Sequence, residues 1–191
     1  RIFSILPFEV DFYRAHGMDV TYVGNPLVDL VDYASIKDVS PVPHRIGLMP
    51  GSRRKEVDSL MPAFAGAAAL LTKKFPDLEF HCIRSSNFSE EHLRSLWHCT
   101  APLVMHDGAD RYRLMRSFQC ILAASGTATL ETGLAGVPTL VAYKVSPLSY
   151  QIALRVIKVK WISLTNLIMN RTVFPEHIEK DADPEPMARR V

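Results

Sequence analysis

The chain has 191 residues, a formal net charge of +2, 48% hydrophobic residues and 22% charged ones. That balance is ordinary for a globular chain and carries no bulk basic footprint for nucleic acid. The length suffices for one domain plus part of another, and no apolar run is long enough to span a bilayer.

Arg1-Ile2-Phe3 opens the chain without a Met, so a piece of a longer protein is expected. Residues 1–25 carry two apolar pieces, Ile2 to Phe8 and Val20 to Val23, around the polar and aromatic stretch EVDFYRAHGMD. The following GNPLVDLVDYASIKDVSPVPH is rich in Pro, Asp and Ser. Its Pro41/Pro43 pair marks a linker or a domain edge.

A regular rhythm then begins. Short β-like runs are predicted near Arg45–Met49, Leu78–Ile83, Leu103–His106, Cys120–Ala124 and Thr139–Tyr143. The first helix between them shows the stripe Val57, Leu60, Met61, Phe64, Ala68, Leu71, Phe75. Pro62 fits that helix only if the helix starts within the turn before it. Ser89 is a good N-cap for a second helix, with Glu90 and Glu91 in its first turn. A third helix is predicted over Arg111–Ser117. A fourth follows Thr127 and stops at Gly136, with Pro138 just beyond. An amphipathic helix over Pro147–Lys160 and the start of another in DADPEPMARRV complete the pattern. The fold class is therefore α/β, a Rossmann-like parallel sheet with helices on both faces.

Cys82, Cys99 and Cys120 are odd in number, widely spaced and form no C-x-x-C, the pattern of reduced thiols. The seven histidines show no ligand spacing, so no metal is expected.

In an open parallel sheet ligands bind beyond the carboxyl ends of strands, where strand order reverses. In a 3-2-1-4-5 order the first and fourth strands are neighbours at that point. The first ends in LMPGSRRKEV and the fourth in ASGTATLE, each with a Gly and a hydroxyl residue leading into a helix. Free N–H groups and the helix dipole make such turns anion sites. Two facing each other suit a diphosphate, and Arg53 adds a guanidinium. Either loop alone is equally an ordinary N-cap turn. Neither matches a P-loop or a G-x-G-x-x-G fingerprint. Glu131, one turn into the fourth helix, suits the two hydroxyls of a ribose, or simply favours the dipole. Asn166 lies in a polar break, where Asn is commonly a cap or turn residue. SPLSYQIALRVIKVKWISL mixes cations with Trp161 and aliphatics, as a membrane-surface segment or a packed helix with a basic side would.

Together, ILPFEVDFY…VTYVGNPLVD, LMPGSRRKEV, ASGTATLE and ISLTNLIMNRTVFPE resemble the lipid-A-disaccharide synthase family, in order and across the whole chain. The resemblance implies a two-domain GT-B glycosyltransferase, of which residues 1–42 are the end of the N-terminal domain plus a linker. Residues 43–191 would be the C-terminal nucleotide-sugar-binding domain, truncated at its end. It implies transfer from UDP-2,3-diacylglucosamine to 2,3-diacylglucosamine 1-phosphate (lipid X), with inversion, without metal or other cofactor. The expected setting is the cytoplasmic face of the inner membrane of a Gram-negative bacterium. No nucleic-acid partner is implied, and a homodimer is compatible.

Carried over by position, Gly51, Ser52 and Arg53 resemble the donor-phosphate loop, and Ser125, Gly126 and Thr127 a second one. Glu131 resembles the ribose-binding acid and Asn166 a polar active-site residue. Val104 and Met105 sit where related folds give backbone contacts to uracil. The chain departs from the family's G-H-P-L at Gly24-Asn25-Pro26-Leu27. The rivals are a peptidoglycan N-acetylglucosaminyltransferase, a UDP-GlcNAc 2-epimerase and a non-catalytic nucleotide-sugar-binding module. With the catalytic base expected in the N-terminal domain, this half alone should bind UDP weakly and not turn over.

Overall fold

A computed structural model describes residues 1–108, 110–144 and 160–191. Near the N-terminus, strand β1 (Ile2–Ser4), helix α1 (Pro7–Ala15) and strand β2 (Val20–Tyr22) form a two-stranded parallel sheet, with Ile2 opposite Val20. Asn25 Oδ1 then accepts the Leu27 N–H at 3.0 Å and caps a short 3₁₀ turn over Pro26–Val28. Asp32 caps helix α2 (Tyr33–Ile36) in the same way.

The main sheet holds β3 (Arg45–Met49), β4 (Glu79–Ile83), β5 (Leu103–His106), β6 (Cys120–Ala124), β7 (Thr139–Tyr143) and β8 (Glu176–Ile178). All its pairings are parallel, in the order β5-β4-β3-β6-β7-β8. The five expected strands are present, with β4 starting one residue late. β8 was not anticipated: Glu-His-Ile is short, half-buried and at the sheet edge, so it shows no apolar run.

Alternation along the strands splits the core into two layers. Leu48, Phe80, Cys82, Leu122 and Leu140 meet α3 (Arg54–Lys74) on one face. Met49, Ile83, Ile121 and Ala123 meet Met115, Phe118 and Ala135 on the other. Burial pushes the Cys82 thiol up to about 12 and Cys120 to about 11, so both behave as inert core groups.

α3 corrects the expectation about Pro62. The helix begins at Arg54, two turns earlier, and runs through the proline. An interior Pro costs about 3 kcal/mol. Val57, Leu60, Met61, Phe64 and Leu71 are all at most 5% exposed on the same helix, and each such burial stabilises by about 1.5–3 kcal/mol. Packing outweighs the lost hydrogen bond.

Among the described residues the remaining α-helices are α4 (Glu90–Ser95), α5 (Arg111–Arg116), α6 (Thr127–Ala135), α7 (Leu164–Met169) and α8 (Pro184–Arg190). Ser89 Oγ accepts the His92 N–H at 3.2 Å, capping α4 as expected. Gly136, at φ 68°, ends α6 as a left-handed cap. α8 lies on α3 so closely that a Cβ on Gly66 would meet Pro184 Cγ at 2.5 Å. The predicted Pro147–Lys160 helix falls outside the described residues, apart from Lys160, whose ammonium lies 4.5 Å from the Trp161 ring centroid.

Candidate functional site

β3 and β6 are adjacent, with Met49 opposite Ala123, so their following loops open side by side. Two glycines make those loops. Gly51 has φ 109°, and a Cβ there would meet Glu56 Oε2 at 2.6 Å. Gly126 has φ 135° and is the N-cap of α6; a Cβ there would meet nothing within 4 Å. Backbone conformation, not crowding, requires glycine at 126, and the space above it is open.

The cleft has a volume of about 360 Å³, within the usual range for small-ligand sites. Gly51, Ser52 and Arg53 line one wall, and Ser125, Gly126, Thr127 and Glu131 the other. In the first turn of α6 the Thr129 N–H turns back to the Gly126 carbonyl at 3.1 Å, while helix geometry gives those of Thr127 and Ala128 no i−4 carbonyl. A helix N-terminus opening into a cleft, with the positive end of its dipole, favours an anion.

Arg53 is exposed at the rim, and its Nη1 donates to Glu56 Oε1 at 2.7 Å. That hydrogen bond, and then the carboxylate's charge, raise the guanidinium pKa, so Arg53 stays a cation. Glu131 is 6% exposed. Arg111 Nη1, from the start of α5, donates to its Oε1 at 2.6 Å. Close by, burial and then the Glu131 charge raise the pKa of the Tyr112 hydroxyl.

Five polar lining residues were missed from the sequence: Glu56, Arg84, Ser85, Ser86 and Arg111. Arg84-Ser85-Ser86 follows β4 at its carboxyl end, the place the strand-end rule already marks. Arg84 Nε donates to Asp107 at 2.6 Å, and Asn87 Nδ2 donates to the Ser52 carbonyl at 3.4 Å. These contacts tie three loops around one opening. Arg111 carried no local signal beyond its charge.

Three residues expected at the site lie outside this cleft. Met105 packs against the core, Val104 is exposed, and neither lines the cleft. Asn166 is fully buried, and its amide is saturated. Its Nδ2 donates to the Phe174 carbonyl and Glu176 Oε1, each at 2.8 Å. Its Oδ1 accepts the N–H groups of Val173 at 2.8 Å and Phe174 at 2.9 Å. Asn166 therefore clamps the segment after α7 instead of presenting an amide to the cleft. Ser125 does line the cleft, yet its hydroxyl donates to the Ile162 carbonyl at 2.8 Å.

A second groove, about 500 Å³, runs along another side of α6 between Leu130, Leu134 and Val137 and the N-terminal residues Ile5, Tyr22 and Val28. Its largely apolar walls do not suit a diphosphate.

A family model for lipid-A-disaccharide synthetase matches residues 1–191. The lipid-A-disaccharide synthase of Trichlorobacter lovleyi is 39% identical, over 98% of this chain and 51% of its own length. That of Geobacter sulfurreducens is 35% identical, over 100% of this chain and 52% of its own. The chain spans about half the length of the curated relatives it matches. A crystal structure of a Listeria monocytogenes protein, provisionally described as a UDP-N-acetylglucosamine 2-epimerase, superposes with a TM-score of 0.52 at 19% identity. The match covers 88% of this chain and 49% of that one, and is a likeness of fold. With a family model matching it end to end, the chain belongs to the lipid-A-disaccharide synthase family.

Proposed function

We propose that this chain is the donor-binding half of a glycosyltransferase that joins UDP-2,3-diacylglucosamine to lipid X, giving a lipid A disaccharide 1-phosphate and UDP. The observation that carries the reading is the pair of glycine turns at Gly51 and Gly126, side by side at the ends of adjacent strands. The diphosphate lies between them, against the α3 and α6 N-termini, with Arg53 at its rim. Glu131 takes the ribose hydroxyls.

In the reaction, the acceptor's 6-hydroxyl forms a bond to the anomeric carbon as the bond to the UDP oxygen breaks. Negative charge grows on the leaving diphosphate. Backbone N–H groups and a guanidinium, fixed before the reaction, stabilise it more there than in the ground state. The base that takes the hydroxyl proton belongs to the half of the relatives this chain does not cover. Residues 1–42 are read as the end of that half and the linker to 43–191.

Both substrates carry acyl chains, so the reaction takes place at a membrane surface, read here as the cytoplasmic face of the inner membrane. Among the described residues no helix is long and apolar enough to cross one. The basic-apolar stretch Arg155–Trp161 is the proposed contact, though residues 155–159 lie outside the described residues.

The test is transfer by a protein that supplies both halves. Disaccharide 1-phosphate and UDP should appear when both lipid substrates are present. Turnover of UDP-N-acetylglucosamine without a lipid acceptor would instead support the epimerase reading.

A further inference from the structure

We infer that Glu176 is a positioning residue for the second phosphate loop, acting on Ser125 through a single peptide group. The inference rests on the nucleotide reading above and names how one wall of the cleft is held.

Glu176 opens the edge strand β8, paired with Val141. Its carboxylate reaches back to the turn before α7. Oε2 accepts the Ile162 N–H at 2.9 Å. Oε1 accepts the Ser163 N–H at 2.9 Å, the Ser163 hydroxyl at 2.7 Å and the Asn166 amide at 2.8 Å. A carboxylate accepting four donors makes short, charge-assisted bonds and leaves that turn little freedom.

The Ser163 N–H and the Ile162 carbonyl belong to the same peptide group. In a trans peptide the two point in opposite directions. Glu176 therefore grips the amide from its N–H side, while Ser125 Oγ donates to its carbonyl at 2.8 Å. The negative charge polarises the amide and makes the carbonyl a stronger acceptor for Ser125. Ser125 is also pinned by its own N–H, donated to the Ala142 carbonyl at 3.2 Å. With both donors spent, Ser125 gives no hydroxyl proton to a ligand. It holds Gly126, the residue whose positive φ turns the chain into α6. The chain of contacts is then Glu176, the 162–163 peptide, Ser125, and the N–H groups at the mouth of α6.

Asn166 belongs to the same device. It shares Glu176 Oε1 and locks residues 173 and 174, the approach to β8, onto α7. That gives a buried Asn a route to the cleft it does not line.

Glu176→Gln turns one acceptor into an NH₂ group that meets an N–H, and so loosens the peptide. The expected loss of UDP affinity is about tenfold, because binding groups displaced by a fraction of an ångström lose their aim. Uridine has no phosphates, so its affinity should be unchanged. Calorimetric titration of the 191-residue chain with UDP and with uridine separates the cases. Ser125→Ala, which only removes the last link, should lower UDP affinity selectively as well. The double variant should be no weaker than Glu176→Gln alone. Equal losses for UDP and uridine, unchanged UDP affinity in Glu176→Gln, or additive losses in the double variant would each overturn the inference while wild-type binding stands. A wild-type chain that does not bind UDP at all would overturn the nucleotide reading, and this inference with it.

Discussion

Arg111 and Glu131 close one end of the cleft with an ion pair of 2.6 Å whose halves are unequally buried. The Arg111 side chain is 44% exposed and that of Glu131 only 8%. The guanidinium keeps access to water, and the carboxylate depends on its partner. Arg111→Ala should therefore lower stability by about 2 kcal/mol, most of it from leaving a buried charge alone. Adding Glu131→Gln should restore part of the loss, because a neutral amide is cheaper to bury. Thermal denaturation of the two variants checks this.

The same pair bears on ligand binding. If Glu131 accepts the ribose hydroxyls, Glu131→Gln should weaken UDP binding more than pyrophosphate binding. Equal effects in calorimetry would mean that the residue serves only the helix dipole and Arg111.

At the other wall, Arg53 is tied to Glu56 but exposed, so it can turn to a diphosphate at little cost. In a protein supplying both halves of the enzyme, Arg53→Ala should lower turnover by about 100-fold, the usual loss for one oxyanion-stabilising donor. Unchanged kinetics would remove Arg53 from the phosphate site. Gly51→Ala should act by a different route. At φ 109° with Glu56 Oε2 in the way, the new Cβ is strained by about 1–3 kcal/mol. The variant should melt earlier and bind UDP less well.

Away from the cleft, His81 and His106 stack at 5.2 Å between ring centroids, with Nδ1 of one 2.9 Å from Nε2 of the other. Both are held below the ordinary imidazole range, chiefly by burial. Glu79 and Arg45 face His81, and Asp107 and Arg45 act on His106; the carboxylates only partly offset the burial. The unfolded chain then binds more protons than the folded one below the ordinary imidazole value, so stability rises with pH there. The melting temperature should fall as pH drops from about 7 to about 5, and fall less steeply in His81→Gln. Glu79, whose carboxyl is lowered mainly by its hydrogen bonds to His81 and Arg45, titrates below that window.

Much of the framework was legible in the residues. The alternating apolar runs located β3 to β7, and the turn glycines located the two loops that flank the cleft, because both are local signals. What failed was nonlocal. β8 is polar and three residues long, and becomes a strand only because Val141 offers an edge. Pro62 argued for a late helix start, and core packing overrode it. Arg111 reaches Glu131 from twenty residues away. Asn166 advertised a polar side chain near the site; only its bonds to residues 173, 174 and 176 disclose the clamp.

Everything proposed for the cleft depends on UDP lying between the Gly51 and Gly126 turns. The most direct measurement is a two-dimensional amide NMR titration of the chain with UDP, which detects even weak binding. The amide signals of Gly51, Ser52, Arg53, Gly126 and Thr127 should move together, while those of Gly17 and Gly24 stay fixed. Shifts centred on the apolar groove beside Leu134 and Val137, or none at saturating UDP, would contradict that placement.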